Sequence, residues 1–436
     1  MAKSKKKTTL GDNDPIAIVS GVRTPFAKAW THYKDWTHAD LGREAVAELV
    51  NRTEIDPEAI DELIFGCVAA PMNGPNVGRE IVLRSQLPKH IPASTVQMYC
   101  ASSAYAAVQG INSLLVGTSD VVVAGGVEAM SAARARFSLS LTHALQEAAS
   151  AKSIQARLRA VSQIRASDLK PETPAIEEPT TGLSMGESAE EMAKEYGISR
   201  QAQDEYTEMT HHRAAKAFDE GRFPEVMTLL TGDEFDTAVD RDTMVRADTS
   251  VEKMSGLRPV FDKKHGTITA ANSSPLTDGA SAVMLMRKST AKKMGLEPLA
   301  FVRSYAQVGL DIQKFNLLLG PTFATPIALE RAGVDLDDMD MVEMHEAFAA
   351  QVLANLEIWK SEELCESLGL DEAIGEVDMD TFNVNGGSVA LGHPFGATGT
   401  RMIAQLAGEM DRRDENLGLL TMCAAGGLGL SMVLER

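Results

Sequence analysis

The strongest constraint on this chain is a pattern that occurs twice. Ile55 to Gly66 (Ile-Asp-Pro-Glu-Ala-Ile-Asp-Glu-Leu-Ile-Phe-Gly) and Val334 to His345 (Val-Asp-Leu-Asp-Asp-Met-Asp-Met-Val-Glu-Met-His) agree in length and in order, an acidic turn followed by a short apolar run. In the first half Pro15 to Ser20 reads as a buried strand and Leu41 to Asn51 has helical spacing. After the repeated segment, Ser94 to Cys100 reads as a strand, Ala101 to Leu115 as a buried helix of small residues, and Asp120 to Gly126 as a buried strand ending in a glycine pair. In the second half a strand-like stretch at Thr381 to Val384 leads to a glycine-rich loop. A helix over Arg401 to Met410, a strand at Leu419 to Met422 and the run Cys423-Ala-Ala-Gly-Gly-Leu-Gly follow. A repeat of this length predicts duplicated α/β units sharing one core rather than a solenoid. The expected organisation is an N-terminal core half over 1–130 with a return segment at 271–290, an inserted loop domain over 131–270, and a C-terminal half over 291–436.

The glycine-rich loop, Asn383 to Arg401, holds five glycines among nineteen residues and a single histidine, His393, between Gly392 and Pro394. Such a loop brings backbone close to a ligand, and Pro394 is suited to a helix start. An imidazole fixed at a loop-to-helix junction predicts a general base or acid. The alternative is a Gly-rich turn that happens to carry a histidine; the glycine density favours the functional reading.

Three further residues could join it. Cys100 sits between a strand and a buried helix, where the helix N-terminus favours a thiolate, and the small residues Ala101 to Ala104 leave room for a substrate. Its alternative is a core cysteine. Cys423 opens a glycine-rich segment whose exposed backbone N–H groups could form an oxyanion hole. His345 ends the second copy of the repeat, with Glu346 beside it either to orient the ring or to serve as a structural acceptor. The alternative for His345 is an interior histidine with its polar atoms satisfied.

The formal net charge of -19 argues against a nucleic-acid surface, so an anionic ligand must meet a local basic patch. Four scattered cysteines without metal spacing suit a reducing compartment and no structural metal. The N-terminal lysines Lys3, Lys5, Lys6 and Lys7 precede no apolar run, which excludes a secretory signal and predicts a disordered tail. Ser131 to Lys170 departs from the acidic background. It carries Arg134, Arg136, Lys152, Arg157, Arg159, Arg165 and Lys170, with Ile154, Leu158, Val161 and Ile164 on one helical face. Such a helix is either a lid with a solvated basic face or a contact for a partner or a membrane surface. Pro171 to Pro179 reads as a linker, and Ser188 to Phe218 as two helices split near Gly197, the second capped by Ser199.

Together these segments resemble the thiolase family over nearly the whole chain. Cys100 with its small followers is similar to the nucleophile motif. The His393 loop matches Gly-His-Pro-x-Gly-x-[Ser/Thr]-Gly-x-Arg, and Cys423 to Gly429 matches the C-terminal cysteine–glycine motif. Gly125-Gly126-Val-Glu128-Ala-Met130-Ser131 and Met185-Gly186 also fit. Where the family generally has Asn-Glu-Ala-Phe, this chain has His345-Glu-Ala-Phe, which resembles the thiolase (β) subunits of fatty-acid-oxidation multienzyme complexes of the trifunctional type. Leu317 to Gly333 resembles the same branch. Pro275 stands where a glycine is usual.

The resemblance implies an α/β fold, a layered αβαβα core of two duplicated halves with an inserted loop domain. It implies thiolytic cleavage of 3-ketoacyl-CoA to acetyl-CoA and a shortened acyl-CoA in fatty-acid β-oxidation, through an acyl-cysteine. Cys100 would be nucleophile, His393 base, His345 and His393 the donors to the thioester oxygen, and Cys423 the acid. Backbone N–H groups of Cys100 and Ala425 would form a second oxyanion hole, and Ser274, Arg246 and Met185 would contact coenzyme A. No metal or other cofactor is implied, coenzyme A being a substrate. The implied partners are acyl-CoA, a second or further copies in a homodimer or homotetramer, and a hydratase/dehydrogenase α subunit, in the cytoplasm and with peripheral membrane contact as one reading of the basic segment. Competing readings are an acetyl-condensing biosynthetic thiolase, a decarboxylating ketoacyl synthase and a non-catalytic acyl-CoA carrier. The presence of Cys423 opposes the synthase, and that of all four reactive side chains opposes the carrier.

Overall fold

The computed structural model of the chain describes residues 10–11, 13–133, 137–170, 178–232 and 234–436. The N-terminal lysines, Arg134, Arg136 and residues 171–177 of the expected linker lie outside the described residues. The first half runs β1 (Ile16–Arg23), α1 (His38–Thr53), β2 (Glu62–Gly66), α2 (Val77–Arg84), β3 (Ala93–Val96), α3 (Ser102–Val116) and β4 (Val121–Glu128). Then come α4 (Leu139–Ser150), α5 (Ile154–Val161), α6 (Met185–Glu195), α7 (Arg200–Asp219) and the returning strand β5 (Thr277–Arg287). The second half is β6 (Ala300–Gly309), α8 (Gly320–Ala332), β7 (Met341–Met344), α9 (Ala349–Lys360), α10 (Ser388–Leu391), α11 (Thr398–Arg413), β8 (Leu417–Ala424) and β9 (Leu428–Glu435).

The duplication is visible in the strand pairing. In the first half β2 runs parallel to β4, β4 antiparallel to β5, and β5 antiparallel to β1. The second half repeats it: β7 parallel to β8, β8 antiparallel to β9, β9 antiparallel to β6. Three residues of β1, Ile16 to Ile18, pair antiparallel with β6 and join the halves edge to edge. Alternation along each strand then builds three layers of core. Val122 and Ala124 of β4 and Leu420 and Met422 of β8 meet the central helices α3 and α11. Val121 and Val123 face α1 and α2 on one outer side, and Leu419 and Val433 face α8 and α9 on the other. The helices and strands therefore stack in the expected αβαβα order. The small side chains of α3 are what let it pack closely among the strands of both halves and α11.

Several elements differ from the sequence reading. β3 stops at Val96, so Cys100 lies beyond the strand, and Tyr99 before it takes a left-handed φ of 46°. Thr381 to Val384 forms no strand; it keeps a single bridge between Phe382 and Val342, because the Asn383 side chain instead bonds the backbone of Met344. β8 extends past Met422, which places Cys423 inside the strand. Pro394 does not begin a helix: its carbonyl accepts the N–H groups of Ala397 and Thr398, and α11 starts only at Thr398.

The described chain divides into two compact units, Met1–Ala132 with Met185–Arg436, and Ala133–Ser184. Residues 185–270 of the expected loop domain therefore belong with the core. There α6 and α7 are separate helices, and Ser199 caps the second by accepting from the Ala202 N–H. The smaller unit contains α4 and α5 instead of one amphipathic helix, capped by Ser138 and Ser153. α5 ends at Val161, so Ile164 lies past it, and Ile154, Leu158 and Val161 are exposed at 69%, 63% and 46% instead of packed. Among the described residues no helix is long and apolar enough to cross a membrane.

Candidate active site

The stacking of α3 on α11 brings loops from both halves together. Thr400 at the start of α11 donates its N–H to Ser103 Oγ at 3.0 Å, in the first turn of the helix that follows Cys100. Gly126 makes the approach possible: a Cβ there would lie 1.9 Å from the Gly396 carbonyl oxygen. The Cys100 sulfur and one ring nitrogen each of His345 and His393 consequently lie within 4.8 Å of one another. The two imidazole rings are 4.3 Å apart between centroids, tilted by 48°.

Each group is fixed by a different element. Cys100 lies within a tight turn in which Ser102 Oγ donates to the Tyr99 carbonyl and accepts from the Met98 N–H. His345 follows β7, and its N–H donates to the Thr421 carbonyl of β8 at 2.9 Å. His393 lies beside the segment 273–276, its N–H donating to the Pro275 carbonyl at 3.3 Å. The Pro275 carbonyl thus holds the main chain at this histidine. Cys423 is buried in β8 within the apolar cluster that also contains Ala347 and Phe348.

Burial governs the charges here. It pushes the half-buried Cys100 thiol up to about 11, against hydrogen bonds from the backbone N–H groups of Ala425 and Cys100 that favour its thiolate. Burial, reinforced by the neighbouring Cys100 sulfur, pushes Cys423 well above the usual thiol range. It drives His393 down to about 3 and His345 well below its ordinary value, with Arg401 adding to both. The resting site therefore holds neutral thiols and neutral imidazoles. The backbone N–H groups of Ala425 and Cys100 both aim at the Cys100 sulfur, and Ala425 is set there by the left-handed Gly426 and Gly427, at φ of 75° and 69°.

The second ring nitrogens have hydroxyl partners: His393 Nδ1 lies 2.6 Å from Thr398 Oγ1, and His345 Nδ1 lies 3.1 Å from Ser388 Oγ. Arg401 donates to Ser388 Oγ at 2.9 Å and to Glu343 Oε1 at 2.6 Å, and burial pushes Glu343 up to about 7 against the pull of that guanidinium. Both Nε2 atoms are buried and have no hydrogen-bond partner among the described residues. Glu346 makes no hydrogen bond to the His345 ring, whose Nδ1 meets Ser388. It accepts from Tyr206, Thr210, the Asn383 amide and the Val389 N–H, which makes it a structural acceptor. Sequence reasoning missed Ser388, and it gave Thr398 and Arg401 no role. The signal was present: a fixed imidazole needs a partner on its second nitrogen, and these hydroxyls stand in the same loop.

Of the three residues expected to meet coenzyme A, Ser274 donates its N–H to the Ala347 carbonyl, two residues from His345, and Met185 packs on the cluster containing Cys423. Arg246 is exposed, its N–H donating to His211 Nδ1. Of the other cysteines, Cys365 is buried beneath α9, its thiol donating to the Ile358 carbonyl. Cys67 joins His38 and Glu128 in a second buried group, and Glu128 there accepts the N–H groups of Val68, Ala69 and Gly396.

Two family descriptions match the chain, "Thiolase, N-terminal domain" over residues 16–289 and "Thiolase, C-terminal domain" over residues 296–436. A 3-ketoacyl-CoA thiolase of Yersinia enterocolitica is 48% identical over 424 residues, covering 97% of both chains. One from Aeromonas salmonicida is 46% identical over 434 residues, covering 99% of both. Among solved structures, human mitochondrial 3-ketoacyl-CoA thiolase in complex with CoA superposes with a TM-score of 0.83 at 29% identity, over 99% of this chain and 100% of that one. An acetyl-CoA acetyltransferase of Bacillus anthracis gives 0.83 at 30% identity, over 99% and 100%.

Proposed function

The chain belongs to the thiolase family, and from that premise we propose that it is a 3-ketoacyl-CoA thiolase, an acyltransferase that cleaves 3-ketoacyl-CoA with CoA to acetyl-CoA and an acyl-CoA shortened by two carbons. The observation that carries the reading is the convergence of the Cys100 sulfur with nitrogens of His345 and His393 inside 4.8 Å. Relatives named 3-ketoacyl-CoA thiolase at 44% to 48% identity favour it over acetyl condensation.

The neutral resting pair sets the order of events. As the Cys100 sulfur attacks the keto carbon, its proton passes to His393 Nε2, so neither charge persists in the buried site without its partner. The N–H groups of Cys100 and Ala425 receive the tetrahedral oxyanion. Collapse breaks the Cα–Cβ bond and leaves the electron pair on an acetyl-CoA enolate, whose oxygen meets the imidazoles of His345 and His393. Cys423 gives its proton to the enolate carbon, releasing acetyl-CoA. The Cys423 thiolate then takes the proton of incoming CoA, whose sulfur attacks the acyl-Cys100 thioester. The shortened acyl-CoA departs and His393 returns the proton to Cys100. In this scheme Ser274 and Met185 flank the coenzyme A arm, and Arg246 is the cation for its phosphates.

The reading places the enzyme in fatty-acid β-oxidation in the cytoplasm, as the β subunit beside a hydratase/dehydrogenase α subunit and as a homodimer or homotetramer. Four free cysteines suit a reducing compartment. The exposed Leu139, Ile154, Leu158 and Val161, with Lys152, Arg159 and Arg165 close in sequence, favour peripheral contact with an anionic membrane for the smaller unit. The deciding experiment measures acetyl-CoA from 3-ketoacyl-CoA substrates of several lengths plus CoA. Substantial turnover by a Cys100→Ala protein, or activity confined to acetoacetyl-CoA, would overturn it.

A further inference from the structure

We propose that the two site imidazoles are locked in opposite tautomers, His393 with a bare Nε2 and His345 with an Nε2–H, and that Thr398, Ser388 and Arg401 are the positioning residues that lock them. The chemistry rests on the thiolysis reading; the tautomers themselves need no substrate.

Each Nδ1 has a hydroxyl neighbour, and the destination of the hydroxyl proton decides which nitrogen is protonated. Thr398 Oγ1 donates to the Pro394 carbonyl at 3.0 Å, a bond fixed by the turn that leads into α11. Toward His393 Nδ1, 2.6 Å away, it is left only a lone pair, so Nδ1 must carry the hydrogen and Nε2 is bare. At Ser388 the arrangement is inverted. Arg401 has donors and no acceptor, and its Nη2 donates to Ser388 Oγ at 2.9 Å. The guanidinium is held in place by Glu343 Oε1 at 2.6 Å, which also receives Gln405 Nε2 at 3.3 Å. With a lone pair occupied, Ser388 keeps its proton for His345 Nδ1 at 3.1 Å. The opposite orientation would strand a buried hydroxyl proton between two donors. His345 Nδ1 is therefore the acceptor, and its hydrogen is on Nε2. The nearby Arg401 charge also opposes protonation of this ring. Both Nε2 atoms are buried without a partner among the described residues, so neither competes with this assignment.

The consequence is a division of labour between two like side chains 4.3 Å apart. His393 can accept the Cys100 proton. His345 cannot, and stands as a permanent hydrogen-bond donor. Once His393 has taken the proton its Nε2–H becomes the second donor, so the pair that receives the enolate oxygen is completed by the same transfer that creates the nucleophile.

Nitrogen-15 NMR of the intact enzyme labelled at histidine tests this, with signals assigned by their loss in His345→Asn and His393→Asn. The expected spectrum has one ring protonated at Nε2 and lost in the first variant, and one protonated at Nδ1 and lost in the second. A shared tautomer, or the reverse assignment, would overturn the proposal. Ser388→Ala should lower kcat roughly 10- to 100-fold with KM within about threefold, and should mix the tautomers of His345 alone. Unchanged kcat and an unchanged His345 signal in that variant would remove Ser388 from the role. The unmodified enzyme's spectrum decides the tautomers even where a variant fails to fold. Opposite tautomers in a protein without thiolysis would refute the activity and leave the proposal standing.

Discussion

Gly126→Ala asks whether the His393 loop is held in place by backbone contact with the first half. The new Cβ would stand 1.9 Å from the Gly396 oxygen and 2.7 Å from Ser103 Cβ. A carbon–oxygen contact needs about 3.3 Å, so one side must retreat by about 1.4 Å. Strand β4 cannot yield, being paired along this stretch with β2 on one side and β5 on the other. Gly396 lies in a turn, so the loop moves, and His393 is three residues away. Overpacking of this kind costs about 1–3 kcal/mol, a melting shift of several degrees. A misplacement near 1 Å at a reacting group costs about 100-fold in rate. The expected result is a folded protein whose kcat for thiolysis falls by about two orders of magnitude, read as acetyl-CoA formed at saturating substrates, beside a calorimetric melt. A Gly126→Ala enzyme that melts cooperatively and keeps kcat within about threefold of the unsubstituted protein would refute the reasoning, since the histidine would then not depend on that contact.

Cys423→Ser should still acquire an acyl group on Cys100 from acyl-CoA, seen by mass spectrometry, while losing C–C cleavage; equal loss of both steps would remove Cys423 from the acid role. Acid stability follows from the two histidines. Their folded values lie below the ordinary 6.5, at about 3 for His393 and lower than usual for His345, so the folded state binds fewer protons. For His393 that contribution is complete above pH 6.5 and is lost as pH falls from there toward 3, by about 1.4 kcal/mol per pH unit, and His345 acts in the same direction. A His345→Asn/His393→Asn double variant should therefore lose melting temperature less steeply between pH 6.5 and 4, and parallel slopes would contradict the assignment of buried neutral rings. The exposed face of α5 should bring the enzyme down with phosphatidylglycerol vesicles and release it in high salt, and Ile154→Asp/Leu158→Asp should stay in the supernatant; equal sedimentation of both proteins argues against membrane contact.

The duplicated halves were legible because the repeat is written in polarity, and polarity alternation is what the three core layers sort. Cys100, His345, His393 and Cys423 were legible as residue types at suspicious places, although nothing in their spacing says that they meet. What escaped was geometry set by single side chains. Tyr99 has no sequence mark of its left-handed φ, and Thr381 to Val384 has the composition of a strand yet loses its pairing to the Asn383 amide. Apolar spacing over Ile154 to Ile164 suggested a packed lid face, but periodicity says which residues share a side, not that anything covers it. Pro394 was assigned to a helix start on propensity, when its carbonyl was the useful group.

The buried carboxylates explain why the site needs both halves. The His393 loop is held on its two flanks by acids from opposite halves: Glu346, after β7, accepts the Val389 N–H at 3.0 Å, and Glu128, ending β4, accepts the Gly396 N–H at 3.0 Å. Each acid is also tied to its own half, Glu346 through Asn383 and Glu128 through the N–H groups of Val68 and Ala69. An amide could not replace either, because a carboxylate only accepts, and every partner here is a donor. The arrangement has a cost at Cys100, since the charge of Glu128 adds to the burial that raises its thiol. That cost is tolerable only where the thiol does not need to be ionised at rest. In the proposed scheme a neutral Cys100 and a neutral His393 ionise together as the carbonyl arrives, which is the arrangement in which a rigid, acid-braced loop and a reacting sulfur can occupy the same few ångströms.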